Sequence, residues 1–442
     1  MSPFQEDNKY TYLTIHKLLN IKRKISKEGK EEFHIIRDNK KLLKSLSIYK
    51  YDIVIIDESS MLSNKIIDSL RSLKKFNGKI IFIGDTAQLP PVNEYSFLFE
   101  IKEFPSYELK EIMRYKGKIV TLANSIRKLV FEKDTKIKFK DFRCEDISIN
   151  KKFDKWFLKF SEDLKESLAT DENLNNLPIC LTYTNRQTEL INNKVRKILF
   201  PSNKDRFVQE EIIIFNNYYS LKGNSKSYYT SQKNKVKKVE IDFIRPKYLG
   251  LCDLCNNALE KKELPCGHKY CGKCLDKGGC KLCIKKNFNI ENVKSRILVR
   301  FDSIFDCLKT TTIKIWKLTL DTGDIVNVIH EDYIKEYEEL IEFLSLKIKK
   351  FRIFLNKLYG KCKCYEKLME SIWCYLYESL IDLFADISYG YCITTHKSQG
   401  STFTNIYVDM NNIILKNQNK EESYRCLYTA ITRTSNKLNI LI

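Results

Sequence analysis

The sequence has 442 residues, 43% of them hydrophobic and 30% charged, a balance that excludes both a disordered chain and a membrane bundle. Its length suits two to four domains of about 100–200 residues each, with cores large enough to need no disulfides. The formal net charge of +21 is spread along the chain and points to a polyanionic partner, most often nucleic acid; AT-rich coding, which favours Lys, Asn and Ile, accounts for part of the excess. No run reaches the roughly 18 apolar residues that a membrane span needs, and the start, MSPFQEDNKY, lacks a basic-then-apolar leader. The expectation is an intracellular protein, in nucleus, cytoplasm or a viral replication site, neither secreted nor membrane-bound.

In chain order, TIHKLLN closes the first 20 residues, and 21–50 is Lys-rich and polar with FHII as its one apolar run. YDIVIIDESS (51–60) is an apolar run ending in acids, which predicts a buried parallel strand whose carboxyl end opens onto a site. Leu62, Ile66, Leu70 and Leu73 have helical spacing, and KIIFIGD (79–85) predicts a second buried strand that again ends in Asp. LPICLTYTN (177–185) predicts a third, followed by the helix-like QTELINNKVRKIL. This alternation implies an α/β fold with a parallel sheet. Residues 205–250 and 312–329 read as short strands, with DTGD (321–324) as a hairpin turn. Residues 331–385 are helical by spacing, GYCITTHKSQGSTF (390–403) returns to strand and loop, and ESYRCLYTAITR onward reads as helix, loop and a final strand.

Chemistry concentrates at the strand ends. Asp57 at the end of a parallel strand can hold Mg²⁺, and Glu58 can orient and deprotonate a water; the alternative is an ordinary helix N-terminus. In Gly84-Asp85-Thr86-Ala87-Gln88-Leu89-Pro90-Pro91, a Gly turn, an Asp and a Gln could together sense a phosphate. The alternative is a tight loop stiffened by two prolines.

DESSM (57–61) followed by GDTAQLPPV (84–92) resembles motifs II and III of superfamily 1 helicases of the RecD/Dda type. The order holds along the chain. TIHKLL (14–19) resembles the motif Ib region, LKEIMRYKGKIVTLANSIR (109–127) motif IV, and LTYTNRQTELIN (181–192) the opening of the second RecA-like domain. TTHKSQGSTF (394–403) resembles motif V and LYTAITR (427–433) motif VI. The resemblance implies ATP between two RecA-like lobes, with Asp57 on Mg²⁺, Glu58 activating water and Gln88 on the γ-phosphate. Arg114 and Arg433 would stabilise the transferred phosphoryl group, and Asp85, Gln399 and Gly400 would complete the nucleotide site. Thr14, His16, Thr395, His396 and Ser398 would lie on the nucleic-acid path. One departure stands out. The family's Gly-x4-Gly-Lys-Ser/Thr phosphate loop should precede TIH, and none of the Gly-Lys pairs at 78, 117, 272 and 360 continues into Ser or Thr. The chain therefore reads as a helicase whose first lobe is incomplete, poorly equipped to hydrolyse ATP.

Cys252, Cys255, Cys266, His268, Cys271, Cys274, Cys280 and Cys283 give eight ligands, enough for two tetrahedral Zn²⁺ sites. Their order and the text ELPCGHKYCGKCL resemble a RING finger. By that resemblance Cys252, Cys255, Cys271 and Cys274 share one zinc, and Cys266, His268, Cys280 and Cys283 the other. Only LDKGG separates Cys274 from Cys280, too short for the helix by which a ubiquitin-ligase RING recruits its conjugating enzyme.

The expected fold class is thus α/β: two RecA-like lobes, the first incomplete, with an inserted small β-barrel that carries a RING-like zinc module. The first lobe would span 1–176, with an inserted pin region at about 17–50. The second would take 177–215 and 385–442, the barrel and helical region 216–384, and the zinc module 250–285. The expected function is an ATP-dependent helicase on single-stranded DNA, RNA being left open, with structural zinc and with Mg²⁺ and ATP once the nucleotide site is completed. A protein could dock on the zinc module. The alternatives are a non-catalytic helicase-derived binding protein and a RING ubiquitin ligase on a helicase scaffold.

Overall fold

The computed structural model describes residues 10–33, 47–73, 76–91, 94, 105–109, 111–132, 137–170, 173–174, 176–221, 226–246, 303–357, 366 and 369–442, and the backbone of 34–35, 261–263, 269–271, 358–359, 363–365 and 367–368. Its strands are β1 (Ile21–Ile25), β2 (Glu31–Ile35), β3 (Ile53–Ile56), β4 (Lys79–Phe82), β5 (Ile147–Asn150) and β6 (Ile179–Thr182). They continue with β7 (Ile212–Phe215), β8 (Tyr219–Ser220), β9 (Ser227–Tyr228), β10 (Lys233–Ile244), β11 (Lys261–Glu263) and β12 (Lys269–Cys271). The last are β13 (Ile313–Leu320), β14 (Ile325–Ile329), β15 (Ile387–Tyr389), β16 (Cys392–Thr394), β17 (Phe403–Asp409) and β18 (Thr434–Leu441). The α-helices are α1 (Ile15–Leu18), α2 (Asn64–Arg71), α3 (Lys118–Phe131), α4 (Phe153–Thr170), α5 (Asn185–Leu199), α6 (Ile334–Tyr359), α7 (Lys363–Ser379), α8 (Met410–Lys416) and α9 (Lys420–Ile431).

The chain divides into two units. Unit 1 joins Met1–Asn20, Arg37–Val236 and Ile387–Ile442; unit 2 joins Ile21–Ile36 and Lys237–Asp386. Most of both stretches expected as RecA-like lobes lies in unit 1, but Ile21–Ile36 of the first, within its expected pin region, belongs to unit 2, as do residues 385–386 of the second.

Unit 1 is built on a five-stranded parallel sheet of order β16-β6-β17-β18-β5. The text ICLT of β6 is buried at all four positions, as a parallel strand covered on both faces requires. Ile179, Leu181, Ile406, Val408, Leu438 and Ile440 pack with Leu122, Ala123 and Ile126 of α3 and Leu427, Ala430 and Ile431 of α9. A second cluster joins Trp156, Phe160 and Leu164 of α4 to Ile191 and Val195 of α5 and to Tyr407. The helix starts follow local rules. Thr184 accepts from Gln187 N, and Asn419 accepts from Glu421 N and Glu422 N, satisfying otherwise orphaned amides. β3 and β4 form a separate parallel pair in register Ile53↔Lys79 to Ile56↔Phe82. Here the expectation of fully buried strands is corrected. Val54 and Ile56 are buried, but Ile53 is 58% exposed and Ile55 61%, with Ile81 at 46%. Among the described residues this pair is covered on one face only.

Beside the sheet, β7 pairs antiparallel with Lys233–Lys235 and with β15. Here Glu211, fully buried, receives Arg196 Nε at 2.8 Å and Val208 N at 3.1 Å. Desolvation outweighs these partners and pushes its carboxyl up from 4.5 to about 7. The native state therefore binds more protons than the unfolded state between those values, and Glu211's contribution to stability is lost as pH rises through about 7. Urea unfolding at pH 5 and pH 7.5 should show wild type losing ground to Glu211→Gln at the higher pH.

In unit 2, β13 and β14 pair antiparallel around the predicted turn, where Gly323 has φ +81°, a backbone that favours glycine. β10 runs beside β13. The expected small β-barrel is not what these strands form: the described residues make an open antiparallel arrangement beside a helical core. That core joins Ile313 and Ile315 to Leu344, Ile348, Leu355, Ile372, Trp373 and Leu376, so helices rather than further strands cover the apolar side chains. The β1–β2 hairpin also belongs here. Ile25 enters the core, Arg23 pairs with Asp382, Lys27 with Glu366, and Trp373 Nε1 donates to Lys27 O. No helix among the described residues is long and apolar enough to cross a membrane.

Candidate functional site

The candidate nucleotide residues gather on unit 1 where β3, β4 and α9 end. Asp57 and Glu58 follow β3 directly. Asp57 is exposed, and one of its carboxylate oxygens accepts from Glu58 N at 2.8 Å. Glu58 has φ +49° and ψ +39°, a left-handed conformation that is uncommon for a non-glycine residue and is found at functional sites. The bend turns the chain into Ser59, whose amide donates to Ile83 O at 2.9 Å beyond β4, so the two strand ends are tied together.

Arg433, at the end of the α9 segment, is fully buried. Its Nη2 donates to Gln88 Oε1 at 3.0 Å, its Nη1 to Ser401 O at 3.4 Å and its Nε to Thr429 O at 3.2 Å; Nη1 lies 3.8 Å from Glu58 Oε1. Burial lowers its pKa, with a smaller contribution from the Arg114 charge; Glu58 acts the other way. Arg114 is exposed and donates from Nη1 to Thr432 O at 3.2 Å. A cavity of about 220 Å³ beside it is lined by Tyr115, Lys116, Asp146, Ser435 and Asn436, among others. Glu58, Gln88, Arg114 and Arg433 thus converge although Gln88 and Arg433 lie 345 residues apart.

Asp85 has a different setting. Its carboxylate accepts from Ala87 N at 3.0 Å and from the Tyr428 hydroxyl at 2.7 Å, so it shapes the 85–89 loop. Gln399 donates to Leu89 O at 3.0 Å, while its Oε1 is buried with no hydrogen-bond partner; Ser60 Oγ is another such orphan. Gly400 has φ +73° with open space where a Cβ would stand. An exposed strand-end carboxylate at Asp57 and the guanidinium groups of Arg114 and Arg433 supply the charge types that suit a metal-bound polyphosphate.

The candidate nucleic-acid residues divide in two. Thr395 and Ser398 are fully buried and spend their hydroxyls on Thr182 O at 3.1 Å and Thr395 O at 2.7 Å, holding the 394–400 loop in shape. His396 is partly exposed beside the Tyr183 ring, and burial lowers its pKa, which favours the neutral imidazole. Thr14 and His16 are exposed on α1, where Thr14 Oγ1 accepts from Lys17 N at 3.3 Å. Among the described residues no group of His, Cys, Asp and Glu is arranged to hold a metal ion. The side chains of Cys252, Cys255, Cys266, His268, Cys271, Cys274, Cys280 and Cys283 lie outside the described residues.

Sequence reasoning missed Arg425 and Tyr428. Arg425, on α9, donates from Nη1 to Thr86 O, pairs with Glu421 at 2.9 Å and stands over the Phe131 ring. Thr429 Oγ1 accepts from Leu89 N at 3.1 Å. The helical spacing of 425, 428, 429 and 432 puts these residues on one face, the only signal that could have found them. Arg425→Ala should cost about 1–2 kcal/mol and speed hydrogen exchange at the Ala87, Gln88 and Leu89 amides while α9 stays protected. Mass-spectrometric exchange on the two proteins checks this.

Residues 4–135 match the AAA domain family, and residues 389–441 match the UvrD-like helicase C-terminal domain family. The first match includes Asp57, Glu58, Gln88 and Arg114; the second includes the 394–400 loop, Arg425 and Arg433. An uncharacterized protein of Acanthamoeba polyphaga mimivirus is 29% identical over 98% of this chain and 83% of its own length. An uncharacterized protein of Methanocaldococcus jannaschii is 26% identical over 99% of this chain, which spans 32% of that relative. Among solved structures, the Pif1 helicase from Candida albicans is similar at 16% identity and a TM-score of 0.39, over 92% of this chain and 74% of that one. A Pif1 helicase from Bacteroides in complex with ADP-AlF3 and ssDNA gives 16% and 0.40, over 97% and 78%. The chain thus carries a match to an AAA domain followed by a match to a UvrD-like helicase C-terminal domain.

Proposed function

We propose that this chain is the motor part of an ATP-dependent helicase acting on single-stranded DNA. The observation that carries the reading is the meeting of Glu58, Gln88 and Arg433 through contacts of 3.0 and 3.8 Å. Mg²⁺ and ATP, when bound, supply the phosphoryl group whose transfer to water drives movement. Asp57 would hold the ion and Glu58 would take the proton of the attacking water. Gln88 would contact the terminal phosphate. Arg433, preorganised by two backbone carbonyls, would stabilise charge on the phosphoryl group, with Arg114 at the exposed side. His16, His396 and the 394–400 loop would follow the single strand, and the net charge of +21 favours its phosphates.

The eight Cys and His side chains between 252 and 283 are proposed as ligands of two structural zinc ions in a RING-like module. The donor chemistry supports this, since seven thiols and one imidazole in CxxC-type spacing suit tetrahedral Zn²⁺. The antiparallel pairing of Lys261–Glu263 with Lys269–Cys271 supports it too, because Cys266 and His268 fall in the connection of that hairpin.

Hydrolysis of ATP with and without single-stranded DNA tests the motor reading. The 442 residues contain no Gly-x4-Gly-Lys-Ser/Thr run, so turnover by this sequence is expected to be slow, and to rise by orders of magnitude when such a loop is supplied ahead of the TIH segment. Glu58→Gln should remove the DNA-stimulated part by a factor of about 10² or more. DNA stimulation that is absent even with the loop present, or indifferent to Glu58→Gln, would contradict the reading.

A further inference from the structure

Between β7 and β10 the chain makes a short aromatic hairpin that the nucleotide site does not use. β8 and β9 pair antiparallel in register Tyr219↔Tyr228 and Ser220↔Ser227. The inner side is a stack: the Phe215 ring lies 4.4 Å from Tyr228 at 14° and 5.9 Å from Tyr219 at 18°, and Phe215 and Tyr228 are buried. One residue further out on each strand stand Tyr218 and Tyr229, 61% and 44% exposed, their rings 5.8 Å apart and inclined at 61°. Strand alternation separates the two pairs, since neighbouring residues point to opposite faces.

The outer pair is held in place. The Tyr218 hydroxyl is hydrogen-bonded to Ser227 Oγ at 2.7 Å, Tyr229 N donates to Gln232 Oε1 at 3.3 Å, and Ser231 N donates to Phe215 O at 2.9 Å. At the hairpin's entry, Asn216 Oδ1 accepts from Lys397 Nζ at 2.6 Å and from Ser388 Oγ at 2.9 Å. Asn216, two residues before Tyr218, thus ties the start of this hairpin to the loop that carries His396 and Lys397.

We propose that Tyr218 and Tyr229 form a base-stacking site for single-stranded DNA. The assignment rests on the single-strand reading above and extends it to a surface that no sequence motif marks. An unpaired strand presents base faces to the rings and phosphates to cations such as Lys397. Duplex DNA hides its base faces, and two rings are too small a patch for a stable protein interface, which needs about 800 Å² per partner. Stacking on an aromatic ring suits any base, as a translocating protein requires.

Anisotropy titrations of the full chain with a labelled oligothymidylate, and with an abasic strand of equal length, at several salt concentrations test this. Wild type should bind the abasic strand at least fivefold more weakly than oligothymidylate. The double variant Tyr218→Ala, Tyr229→Ala should lose that preference with the salt slope unchanged, because the phosphate contacts remain. The double variant Tyr218→Phe, Tyr229→Phe should keep the preference, since stacking needs the rings and not the hydroxyls. Equal wild-type binding of the two strands, or an alanine variant that retains the preference, would overturn the stacking site while leaving the single-strand reading intact. Wild type that binds neither strand would overturn both.

Discussion

Replacing Arg433 by alanine should both destabilise the protein and silence it. The side chain is fully buried and satisfies Thr429 O, Ser401 O and Gln88 Oε1 while facing Glu58 at 3.8 Å. Its removal takes the Arg433 donor from Gln88 Oε1 and Ser401 O, while Thr429 O keeps the Thr432 hydroxyl at 3.0 Å, and leaves a buried space. Removing one partner from such a buried charged network costs about 3–5 kcal/mol, a change readable in urea unfolding even if turnover is low. Loss of a fixed guanidinium at a transferring phosphoryl group costs on the order of 10³-fold in rate or more. Arg433→Lys separates the two effects. Lysine keeps a charge but cannot span three acceptors at once, so it should recover part of the stability and little of the activity. An Arg433→Ala protein that is as stable as wild type would refute the network described here.

The second large effect concerns zinc. Metal analysis of purified protein should find about two zinc ions per chain, one for each set of four ligands. Binding energy of structural zinc is largely folding energy, about 10–16 kcal/mol in small zinc modules, so a chelator should unfold the 252–283 segment outright. Cys266→Ser should release zinc and open that segment to protease. The unit 1 sheet and the unit 2 helical core each have apolar clusters of their own, so the main thermal transition should persist. Absence of zinc, with the thiols freely titratable in the native protein, would remove the RING-like module from the reading.

What the sequence revealed depended on where the stabilising partners lie. The run ICLT announced β6 because burial in a parallel sheet leaves a local apolar signature, and the β-branched text of IVII and KIIF announced β3 and β4, although Ile53, Ile55 and Ile81 are exposed. The DTGD turn between β13 and β14 was equally legible. The β1–β2 hairpin was not. Its text is Lys-rich, and its support comes from Asp382, Glu366 and Trp373, more than three hundred residues away. The site showed the same division. Asp57, Glu58, Gln88, Arg114 and Arg433 could be singled out because each sits in a stretch with family-like text. That Thr395 and Ser398 turn inward to backbone carbonyls, or that Arg425 grips the Thr86 carbonyl, depends on packing, which leaves no trace in spacing.

The sheet order β16-β6-β17-β18-β5 bears on how the protein is made. β18 lies between β17 and β5, and Trp156, just after β5, donates to the carbonyl of Asn439, 283 residues further on. A ribosome adding about 5–20 residues per second takes on the order of tens of seconds to cover that distance. Throughout that interval the Ile147 and Ile149 side of β5 and the Trp156 indole have no β18 to cover them. The sheet therefore assembles late in synthesis, in an order set by long-range pairing, and such topologies fold slowly. Nascent chains stalled between residues 170 and 434 should consequently engage holdase chaperones through the β5–α4 segment, and expression at lower temperature should raise the soluble yield.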